Sequence, residues 1–345
     1  MKVDGITLEA IGSYLPPATR IADAVEAGLF ERSAAAESAQ ESVLIAGDES
    51  APDMAVTAAR TALARSGREA HRIDALIHAS VFMQGPEMWT PPGYILRELG
   101  ARDIPAIELR QGCNGMLSAL EAAVFRLVAD PASSSVLLTT AENLNSPLLD
   151  RWRGGIIGLF GADGAAAAVV GTGPGFATVD AINSAVFSEI EGMARGAEPL
   201  FPPPSATAQP FDLVDRTVHF AQTVRPLPET TEVIRKGQLD LAQQTLAEAG
   251  ADLDDMRRVL YVNGARWLMH RNLTEPFGIE LERTSWEIGR TIGHMGAGDH
   301  MVSLERLLLD GALEAGDRVL IVGGAPGWSV TTVVLTITDP PAWAG

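Results

Sequence analysis

The sequence predicts an α/β fold with a largely buried sheet, because short apolar runs alternate with longer stretches in which apolar residues recur at helical spacing. In the first half of the chain, strands are predicted at residues 75–80, 106–109, 135–140 and 165–170. Helices are predicted at residues 53–65 and 114–128, each followed by turn-forming residues that stop it. This alternation is typical of a sheet whose faces are covered by helices.

The second half of the chain repeats this rhythm. The predicted elements are a helix at 229–249, a strand at 259–262, a helix at 303–315 and closing strands at 318–322 and 331–338. Because each half ends in a helix followed by strands, the sequence indicates an internal structural duplication. We expect an N-terminal unit spanning residues 1–172 and a C-terminal unit spanning residues 173–345.

The size and charge of the chain exclude several classes of partner. The chain has 345 residues, of which 46% are hydrophobic, and this is enough for a large core. Its 44 acidic and 26 basic side chains give a formal charge of -18, which would repel nucleic-acid phosphates and anionic lipid surfaces, so we expect neither as a partner. No signal sequence opens the chain, and no apolar run approaches the roughly 20 residues of a membrane span, so we expect a cytoplasmic protein.

The chain contains one cysteine, Cys113, which excludes an internal disulfide and a cysteine-rich metal site. A lone cysteine is either a small buried hydrophobic residue or a reactive thiol. Cys113 lies in segment 111–116, Gln-Gly-Cys-Asn-Gly-Met, between a predicted strand and a predicted helix. Unpaired N–H groups at a helix N-terminus favour the thiolate, and the flanking glycines let a substrate approach the backbone. The pattern therefore favours a nucleophilic cysteine over a structural one.

Four segments, taken in order, resemble one enzyme family. They are Ile-Gly-Ser-Tyr-Leu-Pro at 11–16, the approach to the cysteine at 100–115, Leu-Phe-Gly-Ala-Asp-Gly-Ala-Ala at 159–166, and Gly-Asp-Arg-Val-Leu-Ile-Val-Gly-Gly at 316–324. Over nearly its whole length the chain is similar to the β-ketoacyl synthase III branch of the thiolase superfamily. The resemblance implies a thiolase-like five-layered αβαβα fold made of two duplicated halves, a homodimer, and acyl transfer from coenzyme A or acyl carrier protein to Cys113.

The chain departs from this family at the residues that form carbon–carbon bonds. Condensing members pair the cysteine with a histidine and an asparagine, which stabilise the enolate made when a malonyl thioester loses carbon dioxide. The family's histidine aligns with Val262 or Asn263, and its asparagine aligns with His294. Such electrostatic stabilisation commonly accounts for several kcal/mol of a barrier, so we expect condensation to be poor.

The residues that remain are suited to acyl transfer. Cys113 supplies a nucleophile, and His294 can remove a proton from an incoming hydroxyl or amine. Asp299 follows His294 across a glycine-rich turn and can orient the imidazole, so we predict a Cys113, His294 and Asp299 triad. The structural alternatives are that Asp299 is a helix N-cap and that His294 is a core histidine with satisfied hydrogen bonds. His300 is the alternative base, although we expect it to face a helix or solvent.

The site for the thioester oxygen is expected at the backbone N–H of Cys113. In the family, a glycine of the last glycine-rich turn supplies a second N–H. Here this turn, at 323–328, reads Gly-Gly-Ala-Pro-Gly-Trp, and Pro326, which has no N–H, falls at or beside the expected glycine. The second donor is therefore predicted to be the N–H of Gly327 or, alternatively, the side-chain amide of Asn263.

Contacts with the acyl donor are expected to differ from those of the family. The family holds the adenine of coenzyme A between a tryptophan and an arginine, and the matching stretch 35–53 contains neither. Arg151, Trp152 and Arg153 precede a predicted strand where the family places a phosphate-facing arginine. Either they bind the donor, with Trp152 stacked on adenine and the arginines on phosphate, or they form a solvated basic loop.

The resemblance also narrows the expected activity. Segment 293–299, Gly-His-Met-Gly-Ala-Gly-Asp, resembles members from antibiotic pathways that transfer acyl groups without condensing them. We expect a malonyl or related group to pass from coenzyme A or acyl carrier protein, through acyl-Cys113, to a hydroxyl such as that of a sugar on a polyketide glycoside. The alternatives are a condensing enzyme and a catalytically silent partner that binds a carrier protein. No metal and no permanently bound cofactor is expected, because no cluster has metal-ligand spacing.

Overall fold

The computed structural model describes residues 1–152, 158–201 and 212–344. The strands in these ranges are β1 (Thr7–Tyr14), β2 (Ala18–Arg20), β3 (Ser42–Leu44), β4 (Ala75–Ala79), β5 (Ala106–Leu109), β6 (Ser135–Glu142), β7 (Gly164–Gly171), β8 (Ala177–Val186), β9 (Met256–Leu260), β10 (Arg318–Ala325) and β11 (Ser329–Ile337). The helices are α1 (Ile21–Glu26), α2 (Arg32–Ser38), α3 (Ala51–Ser66), α4 (Pro91–Leu99), α5 (Gly115–Ala129), α6 (Gly192–Arg195), α7 (Leu213–Thr223), α8 (Leu227–Glu248), α9 (Arg266–Met269), α10 (Glu275–Phe277), α11 (Trp286–Ile292) and α12 (Asp299–Leu309).

The predicted α/β fold is confirmed by a mixed sheet that helices cover. The strand order in this sheet is β5-β4-β6-β7-β1-β8-β11-β10-β9, and β2 pairs with β3 separately. Every residue of β6 and β7 is buried, as expected for strands with helices on both faces. The sheet is therefore the framework from which the loops of the site project.

Two groups of strands in this sheet follow the same pattern. From β1 the order runs through β7, β6, β4 and β5, and from β8 it runs through β11, β10 and β9. In each group the first two pairings are antiparallel and the third is parallel. The groups meet where Thr7 and Leu8 of β1 pair with Thr178 and Ala177 of β8. The division after residue 172 falls between β7 and β8 and stays a prediction.

Helices form three layers around these two groups of strands. α3 packs on β1, β6 and β7, and α8 packs on β8 and β11 at the opposite side. Between the groups, α5 contacts β4 and β6 as well as β8 and β11, while α12 contacts β1, β7 and β9. The layers therefore alternate as αβαβα, and the two central helices touch strands of both groups.

The helix predicted at 303–315 is displaced toward the N-terminus. A 3₁₀ turn at Gly296–Gly298 leads directly into α12, so the helix already begins at Asp299. It ends at Leu309 because Gly311 adopts a left-handed conformation, with φ of 64°, and turns the chain away. The four-residue shift is important for the site, because it places Asp299 in the first turn of a helix.

The close packing of α3 on β1 generates a stability prediction. A Cβ added at Gly12 of β1 would lie 2.5 Å from the backbone of Ala58 and Ala62 in α3. Gly12→Ala is therefore expected to lower the free energy of unfolding by about 1–3 kcal/mol, measured by urea denaturation. The matched control is Gly93→Ala, because Gly93 is exposed in α4 and a Cβ there meets nothing within 4 Å. Equal unfolding energies for the two variants would contradict this packing account.

Candidate active site

Cys113 lies in the turn that leads into α5. Gly112–Asn114 form a 3₁₀ turn, and α5 begins at the next residue. Gly112 adopts φ of 55°, and a Cβ on it would lie 2.9 Å from the Cβ of Ala325 at the end of β10. Glycine is therefore needed before the nucleophile, both for backbone conformation and for space. Cys113 itself is buried.

His294 reaches Cys113 from the C-terminal part of the chain. Its backbone N–H donates to the carbonyl of Phe160 at 2.7 Å, and its own carbonyl accepts from the N–H of Ala162 at 2.9 Å. These two bonds hold the backbone of His294 against segment 160–162. The Nε2 atom lies 2.9 Å from the Sγ atom of Cys113, so the structure brings the predicted nucleophile and base together.

Asp299 completes the predicted group. Its Oδ2 lies 2.6 Å from Nδ1 of His294 and also accepts the backbone N–H of Asn263 at 2.7 Å. Its Oδ1 accepts the backbone N–H of Met295 at 2.7 Å. The cap position of α12 belongs to Gly298, and no side chain caps this helix. The N-cap alternative for Asp299 is therefore wrong, since its carboxylate is directed at the loop that carries His294.

The charges around His294 favour its protonated form. Desolvation by burial acts to lower the pKa of His294, but the charges of Cys113 and Asp299 and the hydrogen bonds to both outweigh it. The pKa of His294 is therefore raised well above its usual value. The protonated ring carries its positive charge between the Cys113 sulfur and the Asp299 carboxylate.

His300, the rival base, has a different environment from the one predicted. It is fully buried, and its Nε2 donates to the carbonyl of Val322 at 3.3 Å. Burial lowers the pKa of His300 to about 4, which leaves the ring neutral near pH 7. Of the two expected environments, a helix or solvent, solvent is therefore wrong. The ring makes its hydrogen bond to the backbone of β10.

Two cavities meet at Cys113 and His294. The first cavity has a volume of about 270 Å³. Its distinguishing lining residues are Val81, Phe82, Glu142, Leu144, Arg151 and Arg216. The second cavity has a volume of about 180 Å³. Its distinguishing lining residues are Ile234, Gln238, Tyr261, Arg271, Gly324 and Trp328. Cys113 and His294 are therefore lined by cavities on two sides.

Glu142 on the wall of the first cavity was not identified from the sequence. It ends β6, is 1% exposed, and accepts the backbone N–H of Val81 at 2.5 Å. Burial raises the pKa of Glu142 to about 8, against the opposing effect of its backbone donors. The carboxyl is therefore largely protonated near pH 7. The signal in the sequence was a lone acidic residue directly after an apolar strand.

Asn263 does not occupy the predicted oxyanion position. Its side-chain amide donates to the carbonyl of Gly293 at 2.8 Å, and the residue lines neither cavity. Its backbone N–H donates to Asp299, as described above. Asn263 therefore supports the loop that carries His294 and does not face the reacting sulfur.

Gly327 also lies apart from the predicted oxyanion position. It forms the β10–β11 turn with φ of 87° and lines neither cavity. Gly324, three residues earlier, lines the second cavity together with Cys113. Pro326 and Gly327 lie in the turn beyond the last paired residue of β10, Ala325, and Pro326 lines both cavities.

Arg151 and Trp152, in the basic segment after β6, have different surroundings. Arg151 is paired with buried Asp163 at 3.1 Å and lines the first cavity, so the solvated-loop alternative is wrong for this residue. Trp152 is partly buried and packs against the main hydrophobic core. Arg153 lies outside the described residues. Donor binding by this segment stays a prediction.

No group of three or more His, Cys, Asp or Glu side chains among residues 1–152, 158–201 and 212–344 is placed to hold a metal ion. Within the same ranges, no helix has the length and apolar character needed to cross a bilayer.

Comparisons with sequence families identify both parts of the chain. Residues 107–188 match the model of 3-oxoacyl-[acyl-carrier-protein] synthase III, and residues 246–337 match its C-terminal model. The mycobacterial β-ketoacyl-[acyl-carrier-protein] synthase III of Mycolicibacterium paratuberculosis is 29% identical over 306 residues, covering 85% of this chain and 83% of that protein. The synthase III of Syntrophomonas wolfei is 28% identical over 298 residues, covering 84% and 83%.

Solved structures extend the comparison to the whole fold. The acyltransferase ChlB3 superposes with a TM-score of 0.92 at 36% identity, covering 98% of this chain and 99% of that chain. The 3-oxoacyl-[acyl-carrier-protein] synthase III of Aquifex aeolicus gives a TM-score of 0.79 at 18% identity, covering 96% and 99%, and shows the fold alone. The sequence models and the similarity to ChlB3 agree with the cysteine turn and layered sheet, and the chain belongs to the synthase III family of thiolase-like enzymes.

Proposed function

We propose that this enzyme is an acyltransferase that carries an acyl group on Cys113 and delivers it to a hydroxyl acceptor with His294 as the base. The observation that carries the proposal is the buried chain of contacts from Cys113 Sγ through His294 to Asp299, with distances of 2.9 Å and 2.6 Å. A nucleophile, a base and an orienting carboxylate in this order are the requirements for covalent acyl transfer.

The first half-reaction loads the acyl group. The Cys113 thiolate attacks the carbonyl carbon of a donor thioester and forms the new carbon–sulfur bond. The donor carbon–sulfur bond then breaks, and the departing thiolate takes the proton from the imidazolium of His294. This leaves acyl-Cys113 and a neutral imidazole, so the charges on sulfur and ring disappear together.

The second half-reaction releases the acyl group. Because the acylated sulfur no longer carries a charge, one of the causes that raised the pKa of His294 is removed. The neutral Nε2 then accepts the proton of the acceptor hydroxyl while its oxygen attacks the acyl carbonyl. The carbon–sulfur bond breaks, and the thiolate and imidazolium are restored. Asp299 keeps the proton on Nδ1 throughout, so Nε2 is the atom that gives up a proton in the first half-reaction and accepts one in the second.

The thioester oxygen needs hydrogen-bond donors in both half-reactions. We assign these to the backbone N–H of Cys113 and, as second donor, that of Gly324, because Gly324 lines the second cavity beside the sulfur. Parallel pairing of β10 with β9 reaches only as far as Ile321 opposite Leu260, so β9 does not pair with Gly324. This replaces Gly327 and Asn263 in that role.

Condensation is the alternative activity, because the curated relatives are synthases. It requires donors for an enolate in addition to the sulfur. The family's histidine aligns with Val262, which is apolar, or with Asn263, whose amide is directed to Gly293. The similarity to an acyltransferase at 36% identity over nearly the whole chain also favours transfer. These two observations support our choice of acyl transfer over carbon–carbon bond formation.

The finer substrate assignment rests on sequence resemblance. Segment 293–299 resembles that of the malonyltransferase of cervimycin biosynthesis, and on this resemblance we propose a malonyl or related acyl group and a sugar hydroxyl on a polyketide glycoside. We extend the proposal to a homodimer that takes its donor from coenzyme A or acyl carrier protein in secondary metabolism. Both donors end in the same pantetheine thioester, so the chemistry at Cys113 is the same for each.

The first functional prediction concerns the covalent intermediate. Intact mass spectrometry after incubation with acyl-pantetheine thioesters is expected to show one acyl adduct on the wild-type protein and none on Cys113→Ala. His294→Ala is expected to acylate slowly and to pass the group to a methyl glycoside about 100- to 10,000-fold more slowly than wild type. His71→Ala is the control, because His71 is exposed and lies apart from both cavities.

Three outcomes of this experiment would oppose the proposal. An adduct that persists in Cys113→Ala would remove the nucleophile assignment. Absence of any adduct on the wild-type protein would favour a silent partner that binds a carrier protein. A β-keto product with release of carbon dioxide from malonyl-pantetheine would establish condensation as the activity.

The second functional prediction concerns Asp299. In Asp299→Asn, one oxygen must serve two backbone N–H groups and the ring N–H of His294, so the imidazole loses its orientation. Transfer is expected to fall by about 100- to 10,000-fold and stability by about 1–3 kcal/mol, from single-turnover rates and urea denaturation respectively. Asp310→Asn is the control, since Asp310 follows the far end of α12. A variant that keeps full transfer would show that Asp299 has only a structural role.

A further inference from the structure

Glu142 is a buried acidic residue without a charged partner. It is 1% exposed and lines the first cavity together with Cys113 and His294. Three other acidic residues in the described ranges are buried, and each forms an ion pair: Asp163 with Arg151, Asp299 with His294, and Glu305 with Arg65. Within the same ranges, Glu142 forms no ion pair. A carboxyl group in a cleft, with no cation to stabilise its charge, is a candidate for a role in the reaction.

The carboxyl group of Glu142 holds the segment that follows β4. Its Oε1 atom accepts the backbone N–H of Val81 at 2.5 Å and Nε2 of Gln84 at 3.4 Å. Gln84 also donates to the carbonyl of Ala141 at 2.6 Å, so this segment is joined to the end of β6. Because Val81 and Phe82 line the first cavity, Glu142 stabilises one wall of that cavity.

On its other side, Glu142 packs against the loop that carries the base. Gly296 lies in the 3₁₀ turn between His294 and Asp299 and has φ of 61°. A Cβ on Gly296 would lie 3.0 Å from Cγ of Glu142 and 2.9 Å from Cγ2 of Val81. Glu142 therefore lies between the segment after β4 and the turn that connects His294 to Asp299.

Glu142 also separates the first cavity from the protein surface. An outer pocket of about 600 Å³ has Asp48, Glu49 and Trp89 in its lining. Phe82 and Glu142 line both this outer pocket and the first cavity. These two residues therefore form part of the partition between the two spaces.

The pKa of Glu142 reflects the lack of a nearby cation. The charge of Arg110 and the backbone N–H groups of Val81 and Phe82 act to lower this pKa. Burial outweighs them and raises the pKa to about 8. The partition is therefore built with an uncharged carboxyl group near pH 7.

The other titratable groups near Glu142 do not supply a cation for it. Those around the two spaces are Asp48, Glu49, Tyr94, Cys113, Asp150, Arg151, Arg216 and His294. The cations among them have their own carboxylate partners, which are Asp163 for Arg151, Glu198 for Arg216 and Asp299 for His294. His78 contacts Gln84 and is neutral near pH 7, because burial lowers its pKa to about 4.

We propose that Glu142 is a positioning residue that works as a neutral acid, holding the segment after β4 and the turn after His294 together while Cys113 is acylated. The inference rests on the proposed acyl transfer through Cys113. When Glu142 gives its proton to solvent, an unpaired charge is left between the two segments, and this is costly unless water reaches it. The partition then opens toward the outer pocket, the turn after His294 loses its support, and loading of Cys113 slows.

The test is the pH dependence of loading. Acetyl- and malonyl-pantetheine are supplied in single-turnover experiments at about pH 7 and about pH 9, and acyl-Cys113 is followed by intact mass. With a pKa of about 8, the neutral fraction of Glu142 falls about tenfold between these values, so wild type is expected to load about tenfold more slowly at the higher pH. In Glu142→Gln, whose amide does not ionise, the ratio of the two rates is expected to be close to one.

Two further variants show whether the pH dependence belongs to Glu142. Arg110→Gln removes an exposed cation whose charge favours the ionised form, so the fall in rate is expected to move to higher pH. Glu69→Gln changes an exposed carboxylate that lies apart from both cavities and is expected to keep the wild-type ratio.

Infrared difference spectra detect the proton itself and do not depend on the folding of a variant. Between about pH 7 and about pH 9, wild type is expected to lose the carbonyl band of a protonated carboxylic acid. Glu142→Gln is expected to show no such change.

The outcomes separate this inference from the proposed function. A wild-type rate ratio close to one, the same fall in Glu142→Gln, or no acid band in the wild-type spectrum would overturn the role of Glu142 and leave acyl transfer intact. Failure of both thioesters to label Cys113 at either pH would contradict acyl transfer, while the infrared band would still report the proton of Glu142. A fall in wild type that is lost in Glu142→Gln and kept in Glu69→Gln is the supporting result.

Discussion

The site depends on the buried carboxylate of Asp299. An ionised carboxylate is costly to bury unless charged and hydrogen-bonding partners replace its water. Asp299 has His294 as its charged partner and the backbone N–H groups of Asn263 and Met295 as donors, and it lies in the first turn of α12, where the helix dipole favours negative charge. These contacts join the segment after β9, the loop before α12 and the helix itself. The direction of the imidazole toward Cys113 follows from them.

The layered fold explains why two distant parts of the chain meet at this point. The two central helices, α5 and α12, begin next to each other, with Cys113 just before one and Asp299 at the start of the other. Small residues permit this approach, because a Cβ on Gly115 would lie 3.1 Å from the Cβ of Ala79 and 3.5 Å from that of Ala297. Cys113 therefore follows β5 of the first group of strands, whereas His294 lies between β9 and β10 of the second group, and the two side chains meet in the middle layer.

Local patterns predicted the parts of this site that depend on neighbours in sequence. The strand, turn and helix around Cys113 and the glycine-rich turn from His294 to Asp299 are of this kind. β8 had no predicted counterpart, although its buried and partly exposed residues alternate along most of the strand. The orientation of Asn263 and the pairing of Arg151 depend on contacts with Gly293 and Asp163 that form only when the loops pack. Spacing in the sequence does not contain this information.

The charge state of His294 is the most direct test of the arrangement of Cys113, His294 and Asp299. Nitrogen-15 NMR of labelled histidine rings, with His294 assigned by comparison with His294→Gln, reports whether both ring nitrogens carry protons. We expect an imidazolium in the resting enzyme at neutral pH and a neutral ring, protonated at Nδ1, after Cys113 is capped with methyl methanethiosulfonate. A neutral His294 in the resting enzyme, or a ring that does not respond to capping, would contradict the sulfur–imidazole–carboxylate arrangement.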